Sequence, residues 1–289
     1  MESFRTIQNS CISEFLGTML FVFCGTASIL PFDTETGPPS KESIGFAFGL
    51  SFAVLLNLTA SWSCGYFNTA VTIARMIRRR ISPLFGLCCI AVQFVGGILG
   101  SGLLYLLSPD NIQKSDLGAT RLGVHVPLYT GVCVELITTF LLVITVLLCA
   151  DGSRKVSDGE TALWSGLVVV GCHLASFHIT GCGMNPARSL GPAVISGVWE
   201  SHWVYWVGPI LGSILACLLH YLATNFPVIT DEDMAVKGEG IDLDMDLEVI
   251  SDKIDIENAD HLSDKNMPSP IPPDSPRLDQ IPTEMKTYM

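Results

Sequence analysis

Two segments carry the same polar device in an apolar setting: Gly65-Tyr66-Phe67-Asn68-Thr69-Ala70-Val71-Thr72 and Gly181-Cys182-Gly183-Met184-Asn185-Pro186-Ala187-Arg188. Each reads as a small-residue turn running into a short helix, with the asparagine at the N-cap. In the second copy Pro186 takes the first helical position, where a missing N–H costs nothing. The chemistry open to such a pair is electrostatic. Each helix N-terminus presents roughly +0.5 of an elementary charge, and two of them aimed at one place repel cations. About 50 residues before each copy stands a glutamate inside an apolar stretch, Glu14 and Glu135. A carboxylate there is costly and turns inward to partners; these two are expected to accept hydrogen bonds from the loop backbone leading into each half-helix. No nucleophile, base and orienting group fall together, so the sequence gives no reason to read an enzyme, a cofactor or a metal centre.

The elements that must position this device are membrane spans. A mean hydropathy of +0.46, with 49% apolar and 15% charged residues over 289 positions, is that of a polytopic membrane protein embedded in a lipid bilayer. Stretches long enough to cross ~30 Å of hydrocarbon run over about 11–30, 43–60, 85–107, 128–150, 163–177 and 203–223. The fifth is the shortest. Three spans per half is an odd number, so the second half enters the membrane opposite to the first. That is an inverted repeat, about 11–107 and 128–223, with two half-helices meeting at the midplane around a watery site. The expected fold is therefore an all-α membrane protein of six transmembrane helices plus two half-helices, occupying residues 1–223.

Charge is unevenly spread. Residues 224–289 hold 16 acidic and 5 basic residues, leaving 12 acidic and 11 basic in the rest. The acidity belongs to a Pro-rich tail, expected to be disordered and cytoplasmic, and nucleic-acid binding has no electrostatic support. Arg75, Arg78, Arg79 and Arg80 follow the first half-helix, and Arg154 with Lys155 join spans four and five. By the excess of positive charge in inner loops both termini are cytoplasmic. The ten cysteines lack metal or disulfide spacing and read as small hydrophobes.

With these residues in view the chain resembles the aquaporin (major intrinsic protein) family over roughly 11–223, and within it the water-selective members. The resemblance implies a homotetramer with one pore per subunit, placed in the plasma membrane. It implies that Asn68 and Asn185, in the motifs Asn68-Thr69-Ala70 and Asn185-Pro186-Ala187, donate N–H groups to permeating water at mid-pore. It places the narrowest constriction at Phe48, His173, Cys182 and Arg188, where Phe48 and His173 set the width and Arg188 and His173 supply donors. Ser189, Ala193 and Tyr205-Trp206 match water-selective members rather than glycerol-conducting ones. Cys182 matches the position through which mercurials block many relatives.

Before the first motif the family pattern departs at Cys64, Tyr66 and Thr69. Thr69 lacks the preset φ of proline, yet threonine suits a first helical turn, so the half-helix is expected to persist, with a hydroxyl able to redirect the Asn68 cap. Tyr66 is bulkier than the usual histidine and is a candidate cytoplasmic gate. Weaker motifs are a basophilic kinase site at Arg154-Lys155-Val156-Ser157, with Ser157 as acceptor, proline-directed Ser269 and Ser275, and a C-terminal Lys286-Thr287-Tyr288-Met289 suited to a carboxylate-capturing scaffold domain. Asp242, Asp244, Asp246 and Glu248 lack the spacing of a calcium loop. The sequon at Asn57 lies inside span two and is discounted. The leading functional expectation is a passive water-selective channel driven by osmotic gradients. The alternatives are a pore of broader permeability, to glycerol, small solutes or ions, and a junctional or scaffold protein whose pore Tyr66 nearly closes.

Overall fold

A computed structural model describes residues 4–32, 37–60, 65–150 and 156–225. Cys64, Arg154, Lys155 and the tail positions singled out above lie outside the described residues. The described helices are α1 Phe4–Ala27, α2 Lys41–Thr59, α3 Thr69–Ile77, α4 Pro83–Leu107, α5 Asp110–Gln113, α6 Leu128–Cys149, α7 Asp158–Thr180, α8 Pro186–Ser196 and α9 Val204–Asn225. Six of them, α1, α2, α4, α6, α7 and α9, are long and apolar enough to span a membrane, while α3 and α8, of 9 and 11 residues, are too short to cross alone.

The fifth span is longer at both ends than its apolar stretch. Ser157 and Glu160 form a capping box that starts α7 at Asp158, and Gly181, at φ 75°, ends it in the left-handed conformation. Hydropathy alone misses the first turn because its residues are polar. Likewise α9 continues to Asn225, and the short α5 after span three has no hydropathy signal of its own.

Because lipid offers no hydrophobic drive between helices, close approach depends on small residues. The pair α1 and α4 meets at Gly96 and Gly100, where an added Cβ would lie 2.5 Å from the Phe15 carbonyl oxygen and 2.3 Å from that of Met19. The pair α6 and α9 repeats this at Gly208 and Gly212, the latter 2.5 Å from the Leu136 carbonyl. Between the repeats, α2 crosses α7 at Gly49 and Gly166, each a 2.5 Å approach to the other's carbonyl oxygen. Glycine at α4 also admits the second half-helix: a Cβ on Gly97 would meet the Ala187 carbonyl at 2.5 Å. These contacts draw the two half-helices into the centre of the bundle, where α3 touches α4, α6 and α9 and α8 touches α4.

Candidate functional site

Each half-helix is entered through a loop of the same geometry. The third and first residues before the asparagine are left-handed: Gly65 (φ 50°) and Phe67 (φ 45°) in the first loop, Cys182 (φ 50°) and Met184 (φ 55°) in the second. That alternation turns consecutive N–H groups to one side, where a carboxylate waits. Glu14 accepts from the N–H of Tyr66 at 2.6 Å and Phe67 at 2.8 Å; Glu135 accepts from Gly183 at 2.9 Å and Met184 at 2.7 Å. Both glutamates are fully buried, and each has a side-chain donor as well: Gln93 Nε2 at 2.8 Å for Glu14 and Thr180 Oγ1 at 2.6 Å for Glu135.

The asparagines face one another across the junction. Asn68 Oδ1 caps α3 through Ala70 N–H at 2.8 Å and Val71 N–H at 3.4 Å, so the Thr69 hydroxyl does not redirect the cap. Asn185 Oδ1 caps α8 through Ala187 N–H at 3.0 Å. Asn68 Nδ2 donates to the Met184 carbonyl at 3.0 Å, and Asn185 Nδ2 to the Phe67 carbonyl at 2.7 Å. Each amide nitrogen carries two hydrogens, so each of these bonds to the opposite loop uses one and leaves the other to offer. Pro186, Ala70 and Ala187 are all buried, and Pro186 stands at the first helical position.

Four side chains from four elements converge on one side of the junction. Phe48 of α2 and His173 of α7 stack with ring centroids 4.3 Å apart. The Arg188 guanidinium, from the first turn of α8, lies 4.9 Å from the Phe48 centroid. Arg188 Nη1 donates to the Gly118 carbonyl at 3.0 Å, whereas its Nε and Nη2, and Nε2 of His173, have no hydrogen-bond partner among the described residues. His173 Nδ1 sits 2.8 Å from the Val169 carbonyl oxygen. A carbonyl only accepts, so Nδ1 carries the proton and in the neutral ring Nε2 presents a lone pair. The geometry thus makes His173 an acceptor rather than the donor expected of it. Cys182 is fully buried beside this cluster, and its N–H donates to Thr180 Oγ1 at 3.1 Å.

Tyr66, 3% exposed, sits on the other side of the junction with the Arg75 guanidinium 5.5 Å from its ring centroid. Among the water-pattern positions, Tyr205 donates to the Thr180 carbonyl at 2.7 Å and Trp206 packs on Phe94 at 5.4 Å. Ser189 and Ala193 are buried.

Sequence reasoning passed over Gln93, Thr180 and Gly118. For Gln93 the signal was present: Val92-Gln93-Phe94-Val95-Gly96-Gly97-Ile98-Leu99-Gly100-Ser101 repeats as Val204-Tyr205-Trp206-Val207-Gly208-Pro209-Ile210-Leu211-Gly212-Ser213. Gln93 and Tyr205 are therefore equivalent, and both work on the loop supports. Gly118, at φ 71° in a loop with no periodic pattern, gave no signal.

Fold and site together define a polytopic helical membrane protein built from two half-helix repeats. The family model for the major intrinsic proteins matches residues 2–220. Aquaporin-4 of Bos taurus is 40% identical over 73% of this chain and 66% of its own, and aquaporin-5 of Mus musculus 40% identical over 78% of this chain and 85% of its own. The chain thus spans just under two thirds of the aquaporin-4 relative's length. A solved structure, the aquaglyceroporin from Plasmodium falciparum, superposes with a TM-score of 0.67 at 23% identity, covering 74% of this chain and 95% of that one, which shows the same fold. The chain belongs to the major intrinsic protein family.

Proposed function

We propose that the protein is a passive water-selective channel of the plasma membrane, driven by osmotic gradients, and not an enzyme. The observation that carries this is the cluster where Phe48 and His173 stack nearly parallel and Arg188, over the Phe48 ring, holds two donor nitrogens free of any partner among the described residues. A slot lined this way suits a molecule that both donates and accepts. Water accepts from Arg188 and donates to His173 Nε2, while a larger polyol meets the Phe48 and His173 rings. At mid-pore the remaining amide hydrogens of Asn68 and Asn185 hold a water oxygen from two sides, so the protons of that water point apart and a proton wire is interrupted. The half-helix N-termini add a positive focus against cations.

The same reading includes a homotetramer with both termini cytoplasmic. It includes Tyr66 as a cytoplasmic gate, Cys182 as the mercurial target reached along the pore, Ser157 as a phosphorylation site and the C-terminus as a scaffold-domain ligand. Names of the relatives, aquaporin-4 and aquaporin-5, support water as the permeant. Osmotic swelling of proteoliposomes, run beside glycerol uptake, is the test. Fast swelling without glycerol uptake, blocked by mercurial in the wild type and not in Cys182→Ser, is expected. Glycerol uptake at a comparable rate would favour the broader pore, and absent swelling from correctly inserted protein would favour the closed, junctional reading.

A further inference from the structure

The first motif has threonine where the second has proline, and the structure gives both polar groups of that threonine a partner. A backbone N–H at the first helical position has no acceptor within its own helix. Pro186 has none to place; Thr69 donates its N–H across the junction to Asn185 Oδ1 at 3.2 Å. The Asn185 oxygen therefore accepts twice, from Ala187 at 3.0 Å and from Thr69. The Asn68 oxygen also accepts twice, but both donors come from its own helix. A flipped Asn185 amide would set its NH2 against two N–H donors, so the pair of them fixes which atom faces the pore.

The hydroxyl is engaged as specifically. Thr69 Oγ1 donates to Gln93 Oε1 at 3.1 Å, while Gln93 Nε2 donates to Glu14 Oε2 at 2.8 Å and Thr72 Oγ1 at 2.9 Å. Thr72 Oγ1 in turn donates to the Asn68 carbonyl at 3.0 Å. All five residues are at least 97% buried. The circuit leaves both of Gln93's amide hydrogens and its oxygen used, and it links the Glu14 loop support, both asparagines and span three through Thr69. A threonine merely tolerated at this place would need none of these partners.

We propose that Thr69 is a positioning residue for the paired asparagines: its N–H clamps the Asn185 carboxamide from the opposite repeat, and the Gln93 bond to its hydroxyl holds the backbone that presents that N–H. The chain thus replaces the rigidity of a proline ring by a cross-repeat hydrogen bond. The consequence for flux rests on the channel reading; the clamp itself does not.

Amide hydrogen exchange by mass spectrometry on the full-length protein in proteoliposomes tests it, with Thr69→Ser, Thr69→Val and Thr69→Pro. The critical reporter is the Ala187 amide, whose acceptor is Asn185 Oδ1, on the repeat that Thr69 does not belong to. Thr69→Pro deletes the clamp and is expected to raise exchange over 185–188 about fivefold, the value of one ordinary hydrogen bond. Thr69→Val keeps the N–H but orphans Gln93 Oε1, giving a smaller rise, and Thr69→Ser restores wild-type protection. Proton conductance per unit water permeability should follow the same order. A change confined to 65–77, or wild-type protection over 185–188 in Thr69→Pro, overturns the proposal. Should Thr69→Pro fail to insert, equal protection in Thr69→Val and Thr69→Ser overturns it. If the wild type passes no water, the channel reading falls, and the exchange comparison still decides the clamp.

Discussion

The two repeats agree in backbone and differ in side chains, and the difference divides labour between the two ends of the site. Both place a left-handed residue one and three positions before the asparagine, both hang two loop N–H groups on a buried glutamate, and both cross their partner span at a glycine pair four residues apart. These are the features that put two helix N-termini at one depth. The positions free to vary do so. Three residues after the asparagine stands Val71 in the first repeat and Arg188 in the second. Gln93 answers Tyr205, and Thr69 answers Pro186. Arg188 follows the second loop and lies over Phe48, while the first loop carries Tyr66 beneath Arg75. Symmetric backbone builds the site; asymmetric side chains give its two ends different chemistry.

The largest expected effect tests the shared part. Glu14→Ala and Glu135→Ala each strip the acceptor from three buried donors, two backbone and one side-chain. At about 1–3 kcal/mol per orphaned donor, each should cut folded protein at the cell surface by at least about tenfold, measured by surface labelling. Unequal losses would break the symmetry argument. Next comes Arg188→Val, which makes the second repeat like the first at that position. Loss of one fixed charge at a desolvated constriction is expected to raise cation conductance by about tenfold or more while water still passes, read by voltage clamp beside swelling.

A smaller pair compares the equivalent residues of spans three and six. Gln93→Leu removes a donor to Glu14 and unpartners the Thr69 hydroxyl, whereas Tyr205→Phe loses the one bond to the Thr180 carbonyl. The first should cost about 2 kcal/mol or more and the second about 1 kcal/mol, a difference visible in melting temperature in detergent. Equal shifts would mean that Gln93 does not couple the Glu14 loop support to the Thr69 hydroxyl. The least effect belongs to Ser157→Ala at the exposed start of α7. Losing the capping box there is expected to cost about 1 kcal/mol and to raise hydrogen exchange only in the first turn of that helix.

Much of the site was legible because membranes make polar residues conspicuous. Glu14, Glu135, Asn68 and Asn185 stood out against apolar runs, and their similar spacing, each glutamate about 50 residues before its asparagine, revealed the repeat. Helix ends made of polar residues were less legible, which is why α7 begins five residues before its apolar stretch. Gln93 was hidden in a greasy span although its decapeptide recurs in span six. Gly118 was illegible, since a loop carbonyl chosen by Arg188 obeys no period.

By itself the sequence determined that this chain crosses a membrane six times as an inverted repeat with two short helices, because hydropathy, span parity and motif spacing are local or countable properties. Tertiary structure alone decided the directions of the polar atoms. Thr69 finds Asn185 a distance of 116 positions along the chain, Arg188 finds the Gly118 carbonyl 70 positions away, and His173 turns its proton toward Val169 and its lone pair toward the constriction. In a buried interior an unpaired polar group is costly, and which partner such a group meets depends on how the two repeats fold onto each other.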